Sequence, residues 1–270
     1  MTTDRRRSPG PRRALAVEPR DRTGKMYHIS LGKGDVGRIA FLPGDPGRVP
    51  LIAERFKEAK PVASHREYTT YGGYLGDEYV IATSTGIGGP SAAIAIEELA
   101  RLGVRVMIRV GSCGGIPREA TVGSTVIADA AVAMDGTSQQ YAPRGYPAAA
   151  TPSVVMALSD SAVSLKKKHL VGLAASTDSF YVGQGRRGYG GYFPSRNASL
   201  VSDLRQARVL CFEMESSTLF TLGRLYGLKT GALFAVVANR ATDDFRQDAG
   251  LPDTIAIAAN SVRKFAKYGV

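Results

Sequence analysis

Short apolar blocks alternate with longer mixed ones along the chain, and each block closes on a turn signal. In RIAFLPGDPGR (38–48) four consecutive apolar residues end at a Pro-Gly turn, the pattern of a short buried strand. EYVIATSTGIGGPSAAIAIEELARLG (78–103) reads as a strand, a glycine turn and an Ala-rich helix. Further strands are expected in VRVMIRVGSCGG (104–115), GSTVIADAAVAMDG (123–136), HLVGLAASTDSFY (169–181) and TGALFAVVANRATDD (230–244). A helix is expected to start near Glu215, and PDTIAIAANSVRKFAKYG (252–269) reads as a final one. Strands alternating with helices predict an α/β architecture. Several of the strands end in Gly, Ser or Thr, where open α/β sheets place their ligands.

Residues 1–25 break this pattern. They hold eight Arg or Lys against three acids and few large apolar residues, and they read as a basic, disordered tail ahead of a single domain over 26–270. The tail supplies +5 of a formal net charge of +11, so the body itself carries +6. A basic body suits small phosphorylated ligands or nucleic acid. No RNP-type aromatic motif, zinc-finger spacing or clear helix-turn-helix is found, so small anions are expected and nucleic acid is not. No apolar run has membrane-spanning length, and MTTDRRRSPGPRR lacks the apolar stretch of a secretory signal. Two cysteines, Cys113 and Cys211, both in apolar surroundings, fit reduced thiols in a cytoplasmic protein.

The GxGxxG string at Gly32–Gly37 precedes a strand and opens no helix, so it is not a dinucleotide fingerprint. The turn Gly44-Asp45-Pro46-Gly47-Arg48 is more informative: glycine lets backbone N–H groups approach an anion, and an arginine follows four residues on. An ordinary Pro-Gly turn with a surface arginine reads equally well there. Arg109 interrupts the apolar run VMI-R-VGSCGG, and a cation in a buried strand needs an anionic partner. Ser112 follows in the glycine turn as a donor. Gln184 and Arg186, two residues apart, offer the donors and acceptor that read the edge of a pyrimidine, with Phe180 as a stacking surface; a plain polar loop is the alternative. Glu213 and Glu215 flank Met214 in FEMESS. They read either as acids favoured at a helix N-terminus or as carboxylates that hold a vicinal diol, with the methionine against a sugar ring.

Six motifs in order, PGDPGR (43–48), SHREYTTY (64–71), STGIGGPSAAIAIEELARLG (84–103), RVGSCGG (109–115), FYVGQGR (180–186) and FEMESSTLF (212–220), resemble the nucleoside phosphorylase-I family, on its uridine-cleaving branch. The resemblance implies a three-layer α/β/α fold around a central mixed sheet with a distorted barrel. It implies reversible phosphorolysis of uridine to uracil and ribose 1-phosphate in pyrimidine salvage, with inorganic phosphate as co-substrate and no metal or organic cofactor. Carried over by position, it implies that Gly44, Arg48, Arg109 and Ser112 bind phosphate, with Arg66 added from a neighbouring subunit. Met214 and Glu215 would hold the ribose and His28 the 5′-hydroxyl of the adjacent subunit. Phe180, Gln184 and Arg186, near Gly114, would hold the base. An oligomer, commonly a hexamer built as a trimer of dimers, is expected. The family's usual Thr-Thr pair is here Ser112-Cys113, and its usual glutamate is here Gly185. Purine-specific relatives carry a Ser-Asp pair where this chain has Asn239-Arg240, which favours a pyrimidine. The rivals are a purine nucleoside or methylthioadenosine phosphorylase, and a non-catalytic nucleotide- or RNA-binding protein.

Overall fold

The structure, a computed structural model, describes residues 16–270. Residues 1–15, most of the expected basic tail, lie outside the described residues. Within the remainder of that tail the chain is already folded: the Asp21 carboxylate accepts hydrogen bonds from the backbone of Thr23 and Lys25 at 2.8 and 3.0 Å, and Arg20 bridges to Met26. The core then opens at once with buried Met26, Ile29 and Leu31. The string Gly32–Gly37 forms a single 3-10 turn at Lys33–Asp35 and leads into a strand, as its position predicts.

Among the described residues, ten strands make one mixed sheet. In chain order they are β1 (Ile39–Leu42), β2 (Lys57–His65), β3 (Tyr68–Leu75), β4 (Glu78–Thr83), β5 (Val106–Gly115), β6 (Thr125–Met134), β7 (His169–Thr177), β8 (Cys211–Glu213), β9 (Lys229–Asn239) and β10 (Asp244–Phe245). The helices are α1 (Arg48–Ala53), α2 (Gly89–Leu102), α3 (Ser138–Tyr141), α4 (Pro152–Ser164), α5 (Leu200–Gln206), α6 (Ser216–Leu225), α7 (Leu251–Ser261) and α8 (Phe265–Tyr268). The sheet order is β10-β9-β6-β7-β8-β5-β1-β4-β3-β2, and β5 also pairs with β9. That extra pairing joins β5, β9, β6, β7 and β8 into a closed ring, while β1, β4, β3 and β2 extend from it as an open wing. The expected mixed sheet with a distorted barrel is this arrangement.

Helices cover both faces. On one side α2 and α6 contribute Ile96, Leu99, Phe220 and Leu222 to a core with Met107 and Phe234. On the other, α1, α4 and α7 contribute Ile52, Leu158 and Ile257 against Phe41, Ile108 and Leu233. Strand β5 lies between them with residues 106–111 all buried, which is why it reads as a continuous apolar run rather than an alternating one. α2 starts at Gly89-Pro90, where proline's missing N–H costs nothing, and stops at Gly103 in the left-handed region (φ 111°).

Two features depart from the sequence pattern. The final helix is not continuous: a 3-10 turn at Val262–Lys264 separates α7 from α8. The Ser261 hydroxyl donates to the Ala258 carbonyl at 2.7 Å, a local bond that competes with the helix ladder at the point of the break. The hairpin of β2 and β3 was hidden because β2 faces solvent over most of its length.

Candidate active site

Strands β5, β8, β9 and β10 and the segments that follow β1, β2, β4 and β7 converge on one cavity of about 940 Å³. Gly44 and Arg48 arrive from the turn after β1 and the start of α1, and Arg109 and Ser112 from β5. Arg48 Nη1 donates to the Ser112 hydroxyl at 3.2 Å, so two of the residues singled out in the sequence meet across 64 positions. Arg109 is paired in register with Leu42 of β1 and Ala232 of β9, deep in the sheet. A side chain at Gly44 would have its Cβ 3.8 Å from Arg109 Nη1 and 3.1 Å from the Gly86 carbonyl oxygen. The glycine therefore keeps the space in front of the guanidinium clear.

Arg109 finds the anionic partners its burial demands, and there are two of them. Its Nε lies 3.3 Å from Glu213 Oε2, and its Nη2 pairs with Glu215 Oε2. Arg48 Nε and both Nε and Nη1 of Arg109 are buried without a hydrogen-bond partner among the described residues. Unpaired guanidinium donors on two residues that line a cavity are what an oxyanion would satisfy.

The helix-terminus reading of FEMESS holds for Glu213. Glu213, at the end of β8, accepts from the backbone N–H of Glu215 at 2.9 Å and of Ser216 at 3.0 Å, and so caps α6. Glu215 lies at the mouth of α6 with Met214 on the cavity wall. Its Oε1 accepts from Gly88 N–H at 2.6 Å, at the start of α2. Burial pushes the Glu215 carboxyl up from its ordinary range. Arg109 pulls it back and the charge of Glu213 adds to the rise, leaving it raised. Behind this turn the buried Asp135 accepts from the hydroxyls of Ser217 at 2.6 Å and Thr218 at 3.2 Å, tying α6 to the end of β6.

The cavity is also lined by Gly114, Phe180, Gln184 and Arg186. Arg186 Nη1 donates to Gln184 Oε1 at 2.7 Å, and Gln184 Nε2 donates to the Thr177 hydroxyl at 3.3 Å. The pair is thus an ordered unit rather than a loose polar loop. Phe180 differs from the expectation of a bare stacking ring: the Arg186 guanidinium sits 4.1 Å from its centroid and covers one face. Gly185 is left-handed (φ +68°), and a Cβ there would meet Val201 at 2.7 Å, so glycine is required where the family commonly has glutamate.

Arg240 was missed. It follows the buried Asn239 at the end of β9 and donates to the carbonyls of Gln184 at 2.6 Å and Gly185 at 3.2 Å. The signal was available, since an arginine at the end of a buried strand raises the same question as Arg109. Burial, then the neighbouring charge of Arg240, lowers the Arg186 guanidinium to about 10. Asn239 is consumed by structure: its amide nitrogen bonds the Pro117 and Ala120 carbonyls and its oxygen accepts from Ala241 and Thr242. Asp243 and Asp244 do reach the cavity wall. Arg240→Ala is expected to loosen the Gln184 segment and raise the nucleoside KM about five- to tenfold, the net worth of roughly one hydrogen bond. The phosphate KM should stay fixed in the same steady-state measurement.

His28 and Arg66 do not line this cavity. They lie together elsewhere, around Tyr27: Arg66 stacks 5.6 Å over the Tyr27 ring, and the His28 carbonyl receives His65 at 2.9 Å. The His28 ring is fixed through Nδ1 to Glu98 on α2 at 2.6 Å. Arg66 occupies the left-handed region (φ 54°) at the tip of the β2–β3 hairpin. Its neighbour Glu67 does reach the cavity and accepts from Ser91 at 3.0 Å.

Residues 38–268 match the model of the Phosphorylase superfamily. The chain belongs to that family. It is 49% identical over 253 residues to a uridine phosphorylase of Thermococcus kodakarensis, covering 94% of this chain and 91% of that one. It is 37% identical over 245 residues to a uridine phosphorylase of Escherichia coli, covering 90% and 97%. A guanosine phosphorylase of Halorubrum lacusprofundi is 38% identical over 216 residues, covering 80% and 84%. No helix among the described residues is long and apolar enough to cross a membrane.

Proposed function

We propose that this phosphorylase cleaves uridine with inorganic phosphate, giving uracil and ribose 1-phosphate reversibly, as a cytoplasmic step of pyrimidine salvage. One observation carries the reading. A single cavity is lined by arginines with unpaired guanidinium donors, by an acid and a methionine, and by an amide–guanidinium pair. Those three sets of groups suit a phosphate, a pentose and a pyrimidine. The relatives named for uridine and the structural engagement of Asn239 support a pyrimidine over a purine.

The chemistry follows from where charge moves. Breaking the glycosidic bond builds positive charge on the sugar and negative charge on the leaving base. Arg48 and Arg109 hold the phosphate under the sugar, where it serves as nucleophile and as counter-charge. Glu215 accepts hydrogen bonds from the ribose hydroxyls and fixes the ring against Met214. Gln184 and Arg186 donate to the uracil carbonyl oxygens as they gain charge, and Arg240 adds a second positive charge behind them. Phosphate is the co-substrate, and no metal or organic cofactor has a step in this scheme.

His28 and Arg66, set together outside their own cavity, are assigned to the site of a neighbouring protomer in a homo-oligomer, a hexamer built as a trimer of dimers. Arg66 would close the phosphate subsite and His28 would meet the 5′-hydroxyl. The deciding assay follows base release from uridine, thymidine, inosine, guanosine and methylthioadenosine with and without phosphate. Uridine cleavage that needs phosphate is the expected result. Faster cleavage of guanosine would overturn the pyrimidine assignment, and release without phosphate would overturn phosphorolysis.

A further inference from the structure

Glu213 has no part in the scheme above, yet its side chain is wholly buried against the most important cation of the site. We propose that Glu213 is a positioning residue that couples the phosphate and ribose subsites, by fixing Arg109 on one side and the turn bearing Glu215 on the other. The proposal rests on the phosphorolysis reading for what the two subsites hold.

The geometry of one carboxylate supports it. Oε2 faces Arg109 Nε at 3.3 Å and accepts from Glu215 N–H at 2.9 Å and Ser216 N–H at 3.0 Å. Oε1 accepts from the Ser176 hydroxyl on β7, which in turn accepts from Ser217 N–H at 2.9 Å. The strand arginine and the helix mouth are therefore held by the same two oxygens. With Glu213 Oε2 3.3 Å from Nε and Glu215 paired with Nη2, two carboxylates bracket the guanidinium, while Nη1 has no hydrogen-bond partner among the described residues and lies 3.8 Å from where a Cβ at Gly44 would stand. Remove Glu213 and Arg109 keeps one carboxylate. The favoured geometry of such a pair is the two-pronged one, which draws donors away from Gly44 and occupies the oxygens Glu215 would offer to ribose. One change then weakens both subsites.

The charged groups facing Glu215 are Arg109 from β5 and Glu213 from β8, with the Gly88 N–H from α2, and Arg48 and Glu67 line the same cavity. Losing the Glu213 charge removes one cause of the raised Glu215 carboxyl.

The test uses full-length Glu213→Gln, with Ser176→Ala as a second variant that leaves all cavity-lining side chains in place. Three readouts are taken: phosphate KM, the acid limb of the kcat/KM pH profile, and the rise in Tm produced by inorganic phosphate alone. For Glu213→Gln the expected results are a phosphate KM raised roughly tenfold or more, an acid limb moved to lower pH, and a smaller phosphate-induced rise in Tm. Ser176→Ala should move all three in the same direction by less. A purely structural role would lower Tm while leaving the phosphate KM and the acid limb in place, and that result overturns the proposal. If Glu213→Gln does not fold, Ser176→Ala decides by the same criteria. A wild-type protein stabilised by phosphate but inert toward all nucleosides would overturn the phosphorolysis reading alone, since the phosphate-induced rise in Tm still judges Glu213. A wild type that phosphate does not stabilise overturns both.

Discussion

Arg186→Ala is expected to lower kcat for uridine by roughly 100- to 1,000-fold, the usual cost of removing one preorganised donor from a developing negative charge. The effect should fall on kcat more than on phosphate KM, because Arg186 contacts Gln184 and Phe180 whereas Arg48 and Ser112 hold each other. Three contacts make the position demanding. Arg186 donates to Gln184 Oε1 and to the Phe180 carbonyl at 2.8 Å and stacks on the Phe180 ring. Removing it frees the Gln184 amide to turn and uncovers the phenyl face. Arg186→Lys should recover little, because an ammonium cannot serve Gln184 and the base with one planar fork. Bases that leave as more stable anions should be less sensitive to the loss, so the ratio of mutant to wild-type kcat should rise from uridine to a 5-fluorinated uridine. A uniform ratio across such a series would show that Arg186 only positions the base.

Glu215→Gln is expected to lower kcat/KM for uridine roughly 100-fold through lost orientation of the ribose, with the fold intact. The stability argument has a definite sign. Burial raises the Glu215 carboxyl, so the folded state binds its proton more tightly than the unfolded chain does. Any stability this group contributes is present at low pH and is lost as pH rises through the ordinary carboxylate range to the raised value. At neutral pH the ionised group is therefore a net burden on the fold. Glutamine removes that burden and leaves Arg109 paired one-to-one with Glu213. The variant should melt at the wild-type temperature or above it at pH 7, and the difference should vanish or reverse in acid. Activity of the wild type should fall as pH drops through a midpoint above that of a solvent-exposed glutamate. Thermal melts and pH–rate profiles of the two proteins check both statements, and a glutamine variant of unchanged kcat/KM would remove Glu215 from the ribose subsite.

Much of this site was legible because it breaks local rules. Arg109 could be read as functional since a cation in an otherwise buried strand has to be explained, and Gly44 since it sits where a strand meets a turn. The same physics holds for Arg240, a cation after the buried end of β9 that clamps the Gln184 and Gly185 carbonyls. Other features carry no local signal. Strand β8 is three residues long, too short for any periodicity, and Glu213 divides its oxygens among partners from β5, β7 and α6 that no single stretch foreshadows. Strand β2 reads as polar because it is the outer edge of the sheet, where Pro61 and irregular register with β3 are tolerated. The separation of His28 and Arg66 from the cavity also depends on the path of the hairpin, which the motif SHREY does not encode.

Strand β5 is laced to β1, β8 and β9, so the chain that carries Arg109 and Ser112 can open only when the whole sheet does. The Gln184–Arg186 end is different, resting on one- and two-residue clasps along a glycine-rich surface loop. The segment proposed to meet the nucleobase can therefore be exchanged at less cost to the fold than the strand proposed to hold phosphate.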